Sequence, residues 1–370
     1  MKLSVLTLLA AISGVTAFQA VQPHRVGTLA KLTPLRISTG DDMSEQKSLD
    51  ISKTVYSQTI KSPKDSYLAF AEKGASNAKM GKMKIFHQAV MGGAYVGFGG
   101  LLSFCIAGNI GGIAAQNPGI AKMAFASLFP VNLLLILTTG GQLFTGNSAT
   151  VSAAKYEGLV TWRELWRSWG VSISGNIVGC TLFAIAAWYV GLLTGGTADL
   201  LTSTALNKCR STFGQTLLKA IMCNWMVSLA VFLAGACNDL TGKLVGIWFP
   251  ISTFVAIGLE HSVANMFIMP AALLLNVPLS IYDVLFKNVI PVVIGNAIAG
   301  AFVVAGSYSY QFGKLGKKSL QKFEKWLEAH EATIAARRAI IEAQDATSKA
   351  IRAMAVNGNN MPNKDMSKLF

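Results

Sequence analysis

The sequence predicts an all-α membrane protein: a bundle of six membrane-spanning helices, arranged as a 3+3 inverted repeat with two broken helices. The composition is 52% hydrophobic and 14% charged, whereas a soluble domain carries about 25% charged residues. Six apolar blocks each reach the length of about 20 residues that a spanning helix needs. Polar residues interrupt the second and the fifth block, the middle one of each half. Because three spans per half is an odd number, the two halves run in opposite directions across the bilayer.

Charge and cysteine usage exclude other classes of protein. The formal net charge is +14, but the basic residues flank apolar runs and fill both termini, as topology and targeting charges do. A nucleic-acid interface would instead cluster them around exposed aromatic residues. The five cysteines show no C-x-x-C spacing, and we predict buried free thiols rather than a disulfide or metal framework.

The N-terminus predicts a targeting leader. Residues 1–17 form a signal peptide, with a short apolar run from Leu3 to Val15 before a small-residue cleavage site at Val15-Thr16-Ala17. Residues 18–75 form a transit peptide and a polar N-terminal segment, basic at first and free of acids before Asp41. This order resembles the bipartite plastid leader of algae with secondary plastids, such as diatoms. We therefore expect the plastid envelope, with the plasma membrane or another endomembrane as the alternative for an ordinary secretory signal.

The six apolar blocks begin after a basic stretch that ends near residue 84. They cover about residues 85–112, 121–154, 166–194, 213–237, 244–275 and 284–310. The second and fifth are too long for one straight span, so each is predicted to be two half-helices joined by a non-helical turn. Such a turn is tolerated at membrane depth only where protein or water satisfies its backbone.

Small residues and basic residues complete the architecture. The 35 glycines indicate close helix packing rather than nucleotide-binding loops, because no strand precedes them. Lys and Arg before the first span, after the second and after the sixth predict that both termini lie on the inner side. Lys208 and Arg210, between the third and fourth spans, break this bias and call for a functional explanation.

Beyond about residue 313 the chain becomes polar, and residues 313–370 are predicted to be a helical C-terminal tail. Residues from Trp326 to Val356 are rich in Ala, Glu, Lys and Arg. We predict a solvent-exposed helix, with a partner-binding helix as the alternative.

Glu260 and His261 lie inside the fifth apolar block. Ionisable groups are costly in hydrocarbon and persist where they face a bundle interior or an aqueous path. Together with the interruption at Thr145 in the second block, they indicate a pore or transport site at the interface of the two repeats.

These residues resemble the formate/nitrite transporters over residues 85–312, the predicted channel domain. The motifs Gly141-Gln142-Leu143-Phe144-Thr145-Gly146, Cys223-Asn224-Trp225-Met226-Val227 and Glu260-His261-Ser262-Val263-Ala264-Asn265-Met266 occur in the matching order and helices. The resemblance implies an aquaporin-like fold and a homopentamer with one pore per protomer. It also implies conduction of small monovalent anions such as formate, nitrite, lactate, bicarbonate or hydrosulfide.

The resemblance also implies which residues form the site. The pore for the substrate is expected to contain His261, Thr145, Glu260, Asn224, Asn296 and Lys208. The constriction is expected to contain Phe129, Leu133, Leu143, Phe144 and Phe254. Glu260 is expected to orient His261 or to hydrogen-bond to backbone. The chain departs from the family at two positions: Gln142, where the family often has an acid, and Ser228, where it often has a cysteine. The departure at Gln142 argues against any mechanism that needs a carboxylate at the first loop.

The function expected from these residues is transport of a weak-acid anion, with nitrite entering the plastid as the first choice and formate or bicarbonate as alternatives. Lys208 would attract the anion, the half-helix N-termini would stabilise it, and His261 would donate a hydrogen bond or a proton, so that protons are a possible second partner. An aquaporin-type channel for neutral solutes is a distant alternative, since Asn117-Pro118-Gly119 has no partner motif. No His, Cys and carboxylate cluster has metal-ligand spacing, so we expect neither an enzyme nor a cofactor.

Overall fold

The computed structural model describes residues 60–358, and the predicted leader up to residue 59 lies outside this range. The described residues are helical almost throughout. In chain order the helices are α1 (Pro63–Lys79), α2 (Lys82–Gly108), α3 (Gly112–Gln116), α4 (Pro118–Leu128), α5 (Val131–Thr139), α6 (Phe144–Tyr156), α7 (Trp162–Tyr189), α8 (Gly195–Lys208), α9 (Phe213–Ala236), α10 (Leu240–Ile257), α11 (Ser262–Leu274), α12 (Asp283–Phe312) and α13 (Lys314–Gly358).

Within residues 60–358, six helical segments are long and apolar enough to cross a membrane. They are α2, the continuous pair α4–α5, α7, α9, α10 and α12, and each overlaps one of the six apolar blocks. Helix α12 contains two π-helical stretches, Asp283–Val289 and Ala299–Gly306. Such stretches occur frequently at functional sites.

The second and fifth spans are broken as the sequence predicts. Helix α5 ends at Gly140 and α10 ends at Gly258, with φ angles of 84° and 85°. Glycine adopts this left-handed conformation without the steric cost that a Cβ would add, and it commonly ends helices. After each break a half-helix of 13 residues follows, α6 or α11.

The direction of the spans defines two faces of the bundle. One, which we call the terminal face, carries the start of α2 and the end of α12, and hence the adjoining helices α1 and α13. The other, which we call the opposite face, carries the ends of α2 and α7 and the start of α9.

Glycines let helices of each half approach closely. A Cβ on Gly175 of α7 would lie 2.6 Å from the Cβ of Ala89 on α2, and one on Gly295 of α12 would lie 2.6 Å from the Cβ of Ala220 on α9. Gly179 packs so tightly against the carbonyl oxygen of Val90 that a side chain there would clash with backbone. This is the small-residue packing expected of membrane helices.

Helix α1 is part of the packed bundle, although hydropathy places the start of the channel domain at residue 85. Tyr67 and Phe70 are buried in the main hydrophobic core, and the Tyr67 hydroxyl donates to Oε1 of buried Glu157 at 2.7 Å. Burial raises the pKa of the Tyr67 phenol above its ordinary value. A hydropathy criterion misses this helix because only one side of it is apolar and its mean hydropathy is low.

Helix α13 is a single helix of 45 residues that leaves the bundle at the terminal face. Its start is fixed by Glu157, whose carboxylate accepts from the backbone N–H of Lys314 at 3.1 Å and from the Ser309 hydroxyl at 2.8 Å. From residue 317 to 353 every side chain is exposed. The choice between a solvent-exposed helix and a partner-binding helix stays open.

Candidate functional site

The two half-helices bring Thr145 and His261 together inside the bundle. Thr145 lies in the first turn of α6, and His261 is the residue that caps the N-terminus of α11. Thr145 Oγ1 and His261 Nε2 are 3.2 Å apart, and the two residues are only 0% and 5% exposed. Each half-helix directs the positive end of its dipole towards this contact.

The capping contact fixes which nitrogen of His261 carries the proton. The backbone N–H of Ala264 donates to His261 Nδ1 at 3.0 Å, and a backbone N–H can only donate. Nδ1 therefore has no proton, and the neutral imidazole carries its proton on Nε2. Nε2–H then donates to Thr145, so His261 presents a donor at the centre of the bundle.

Glu260 is held by three side chains and does not orient the His261 ring. Its Oε2 accepts from Lys208 Nζ at 3.0 Å, from Asn265 Nδ2 at 2.7 Å and from Asn288 Nδ2 at 3.1 Å. The expectation that the Glu260 side chain orients His261 or binds backbone is wrong, because Lys208 and the two amides take up the carboxylate. The arrangement leaves a buried ion pair next to His261 in the chain.

Asn296 and Asn224 tie both half-helices to the surrounding spans. Asn296 Oδ1 accepts from the backbone N–H of Ser262 at 2.9 Å, while its Nδ2 donates to the carbonyl oxygens of Ala220 at 2.8 Å and Glu260 at 3.1 Å. Asn224 Nδ2 donates to the carbonyl oxygen of Asn296 at 2.6 Å and to that of Thr145 at 3.3 Å. Both asparagines are completely buried; Asn296 holds the loop that carries His261, and Asn224 joins Asn296 to the first turn of α6.

A similar cluster holds the first loop, at Gln142. Gln142 Nε2 donates to Gln88 Oε1 at 2.9 Å, and Gln142 Oε1 accepts from Asn147 Nδ2 at 2.9 Å. Asn77 of α1 completes the cluster by donating to Asn147 Oδ1 at 3.0 Å. This loop is stabilised by neutral amides and needs no carboxylate.

Asn176 makes the same three kinds of contact in the first half that Asn296 makes in the second. Asn176 Oδ1 accepts from the backbone N–H of Phe144, the first residue of α6, at 2.9 Å. Its Nδ2 donates to the carbonyl oxygens of Ala89 at 2.8 Å and Gln142 at 2.9 Å. Each loop is thus fixed by an asparagine from the third span of its own half, which also bonds to the first span.

A cavity of about 280 Å³ reaches this site from the opposite face. Lys122 and Lys208 lie on its wall, and His261 lies at its inner end with Phe129 and Phe254. The rings of Phe129 and Phe254 meet edge to face with their centroids 6.3 Å apart, and the Phe254 ring stacks on the imidazole at 5.6 Å. Two aromatic rings therefore lie beside His261 at the wall of this cavity.

The remaining predicted constriction residues divide into two groups. Leu133 and Leu143 are buried in the same core cluster as Phe129 and Phe254, and their role in the constriction stays a prediction. Phe144 is not part of this group: it packs edge to face on Trp169 at 5.9 Å in a second hydrophobic cluster. Its assignment to the constriction stays a prediction.

Several polar residues of the site were not predicted. Asn288 links Lys208, Glu260 and Asn265, Asn176 holds the first loop, and Lys122 lies at the cavity wall. Asn176 and Asn288 stand out in apolar spans, and an amide at membrane depth is itself a signal of an interhelical contact. Lys122 gives no such signal, since it lies near a helix end.

Comparison with known proteins supports this architecture. Residues 64–310 match the family model described as formate/nitrite transporter. The chain is 36% identical over 273 residues to a probable formate transporter of Methanothermobacter thermautotrophicus, covering 69% of this chain and 98% of that protein. It is 38% identical over 221 residues to a formate channel of Bacillus thuringiensis, covering 59% and 83%. A solved structure described as a pentameric formate channel with formate bound is similar, with a TM-score of 0.56, 25% identity and coverage of 63% of this chain and 98% of that one.

Proposed function

The chain belongs to the formate/nitrite transporter family, and we propose that it carries a small monovalent weak-acid anion past the Thr145–His261 pair. The family consists of transporters and channels, and this chain is a multi-pass membrane protein of that kind and not an enzyme. The observation that carries the proposal is the buried hydrogen-bond donor of His261 at the end of an apolar cavity.

The proposed path begins in the cavity at the opposite face. Lys122 raises the local concentration of anions there, whereas the charge of Lys208 is balanced by Glu260 at 3.0 Å. Phe129 and Phe254 form an apolar barrier that excludes hydrated ions, because an ion that sheds its water without compensation has a very high free energy. A weak acid crosses this barrier more readily when it carries a proton and is neutral.

His261 acts in this proposal as a hydrogen-bond donor. Its Nε2–H is available to an oxygen of the anion, and the Thr145 hydroxyl, which accepts from the ring, has its own proton free to donate. A neutral imidazole is a very weak acid, so His261 could give a proton to the anion only after binding a second one at Nδ1. That would place two N–H groups against each other at Ala264, and we propose instead that the anion takes its proton from hydronium in the solution at the mouth of the cavity, which leaves neutral water.

We propose that the two halves form an aquaporin-like 3+3 inverted repeat. Support comes from the matched contacts of Asn176 and Asn296 and from the left-handed glycines, Gly140 and Gly258, at both breaks. We further propose that the protein is a homopentamer with one pore in each protomer, since its fold resembles that of a solved pentameric formate channel.

We propose nitrite as the physiological substrate and the plastid envelope as the location, with residues 1–17 as signal peptide and the following residues as transit peptide. This part rests on the composition of the N-terminus. Formate is the second candidate, because relatives at 36% and 38% identity are described as formate transporters or channels. Bicarbonate is the third.

The test is anion flux through the purified protein in liposomes, with nitrite and formate each measured at two external pH values. Wild type is compared with His261→Asn, which shortens the donor, and with Thr145→Val, which removes the hydroxyl but keeps the shape. We expect flux that rises with acidity in wild type and falls strongly in both variants. Unchanged flux and pH response in His261→Asn would refute the role of His261. Flux of water or glycerol without anion flux would overturn the function, and formate flux without nitrite flux would overturn the choice of nitrite.

A further inference from the structure

Helix α13 carries a stripe of large apolar side chains that nothing in the described part of the chain covers. Leu320, Leu327, Ile334 and Ile341 follow one another at intervals of seven residues and are 41% to 58% exposed. Phe323, three residues after the first of them, is 57% exposed. A seven-residue repeat places such side chains on one side of a helix, as in a coiled coil.

The other side of the helix is built from alanine. Eight alanines follow at alternating intervals of three and four residues: Ala329, Ala332, Ala336, Ala339, Ala343, Ala346, Ala350 and Ala353. Alanine is the strongest helix former and exposes little apolar surface, so this side needs no partner to explain it. Burying leucine and isoleucine side chains away from water is favourable. The stripe is therefore the side of α13 that would gain most from packing against a partner.

The charge along α13 argues against a lipid surface as the cover. Residues 314–325 contain five lysines and one glutamate, which suits the surface of an anionic membrane. Residues 326–353 contain four acidic and four basic residues, so this longer part has no net attraction to anionic lipid. Leu327, Ile334 and Ile341 all lie in the balanced part.

The start of α13 is fixed to the bundle. The Glu157 carboxylate accepts from the backbone N–H of Lys314, while Lys314 Nζ donates to the Glu157 carbonyl oxygen at 2.7 Å. Gly316 lies so close to the carbonyl oxygen of Tyr310 that a side chain there would clash. Copies of the chain arranged around one axis would therefore extend their α13 helices from the same face, parallel and at the same height.

We propose that the α13 helices of neighbouring copies associate through this stripe into a parallel coiled-coil stalk. The inference rests on the proposed homo-oligomer. Helix α13 begins beyond residue 310, where the family match ends, so the stalk is an addition to the transport domain. His330, Arg337 and Gln344 alternate with the apolar positions on the same side, and polar residues within such a seam fix its register at a cost in stability. At about 1.5 Å per residue the 45-residue helix is about 67 Å long.

Disulfide cross-linking of the full-length protein in detergent tests the stalk. Ile334→Cys places a thiol in the stripe, and Ala336→Cys places one on the alanine side two residues away. Wild type shows how much cross-linking comes from the five native cysteines. Both positions are exposed, so neither change disturbs the fold of the bundle. Under mild oxidation we expect several-fold more disulfide-linked dimer from Ile334→Cys than from Ala336→Cys or wild type, because identical stripe residues face each other in a parallel, in-register bundle.

The native mass of the same samples separates the stalk from the assembly on which it rests. An oligomeric mass without cross-linking at residue 334 overturns the stalk and leaves the proposed oligomer standing; a helix lying on lipid or binding another protein would give this result. Stronger cross-linking at residue 336 assigns the interface to the alanine side, and equal cross-linking at both reflects random collisions; either overturns the proposal. A monomeric mass overturns the stalk and the proposed pentamer together.

Discussion

Removing the amide of Asn296 tests whether the second half of the bundle depends on one side chain to hold the His261 loop. Asn296→Ala leaves the Ser262 N–H and the Glu260 carbonyl oxygen without their partner, whereas the Ala220 carbonyl oxygen lies inside α9 and keeps its helical hydrogen bond. Each of the two orphaned buried groups costs about 1 to 2 kcal/mol at the modest end of measured values, so the sum is about 2 to 4 kcal/mol. That is a large part of the stability of a typical protein.

The matched variant is Asn176→Ala. Asn176 also makes three buried hydrogen bonds, to Phe144 N–H and to the carbonyl oxygens of Ala89 and Gln142. We therefore expect the two variants to lose similar amounts of stability. Asn132→Ala serves as control, because Asn132 is also buried but donates within its own helix to the Phe129 carbonyl oxygen, and its loss should cost about 1 kcal/mol.

Thermal unfolding of the three variants in one detergent gives the ranking, and anion flux in liposomes gives the functional effect. We expect Asn296→Ala and Asn176→Ala to unfold at similar temperatures, both well below Asn132→Ala, and both to conduct poorly. If Asn296→Ala loses no more thermal stability than Asn132→Ala, Asn296 does not hold the His261 loop. If only one of Asn296→Ala and Asn176→Ala loses much stability, the two halves are not equivalent.

Three further changes have defined outcomes. Lys208→Met leaves the buried Glu260 carboxylate without its counter-charge, so we expect the free energy of unfolding to fall by about 3 to 5 kcal/mol. The double variant with Glu260→Gln should recover most of this stability. Gly179→Ala forces a Cβ against backbone, whereas Gly214→Ala meets open space; expression and melting temperature should fall for the first only. Burial raises the pKa of Tyr67, so the neutral phenol stabilises the fold below its ordinary pKa of about 10, and this stability is lost at higher pH. The melting temperature of Tyr67→Phe should therefore fall less at alkaline pH than that of wild type.

The spans and their breaks are predictable because each depends on a local property of the sequence. Length and hydropathy define the six spans, and a polar interruption in an over-long apolar block defines a broken helix. Helix α1 depends on a different property. Its hydrophobic side, which includes Tyr67 and Phe70, is covered by tertiary contacts, so no hydropathy average separates it from the polar segment before it.

The candidate site is predictable in its residue types but not in its pairings. Glu260 and His261 are adjacent in the chain and invite the idea that they act on each other. The chain leaves helical geometry at this break, and Glu260 instead meets Asn288 from a span 28 residues further on. Phe144 shows the same limit, since the sequence gives no sign of its contact with Trp169.

The two loops have similar geometry but different charge, and this difference bears on how an anion could leave the pore. The Glu260 cluster contains the Lys208 cation, but the carboxylate neutralises it at 3.0 Å, and the Gln142 cluster contains only amides. An unpaired cation beside the constriction would bind an anion strongly and slow its release, whereas conduction needs binding weak enough to leave. Pairing Lys208 with Glu260 keeps a positive group at the cavity wall without a net charge next to His261. In the proposed path, Nε2–H and the half-helix dipoles would then replace part of the water of the anion, with no unpaired cation beside them to slow its release.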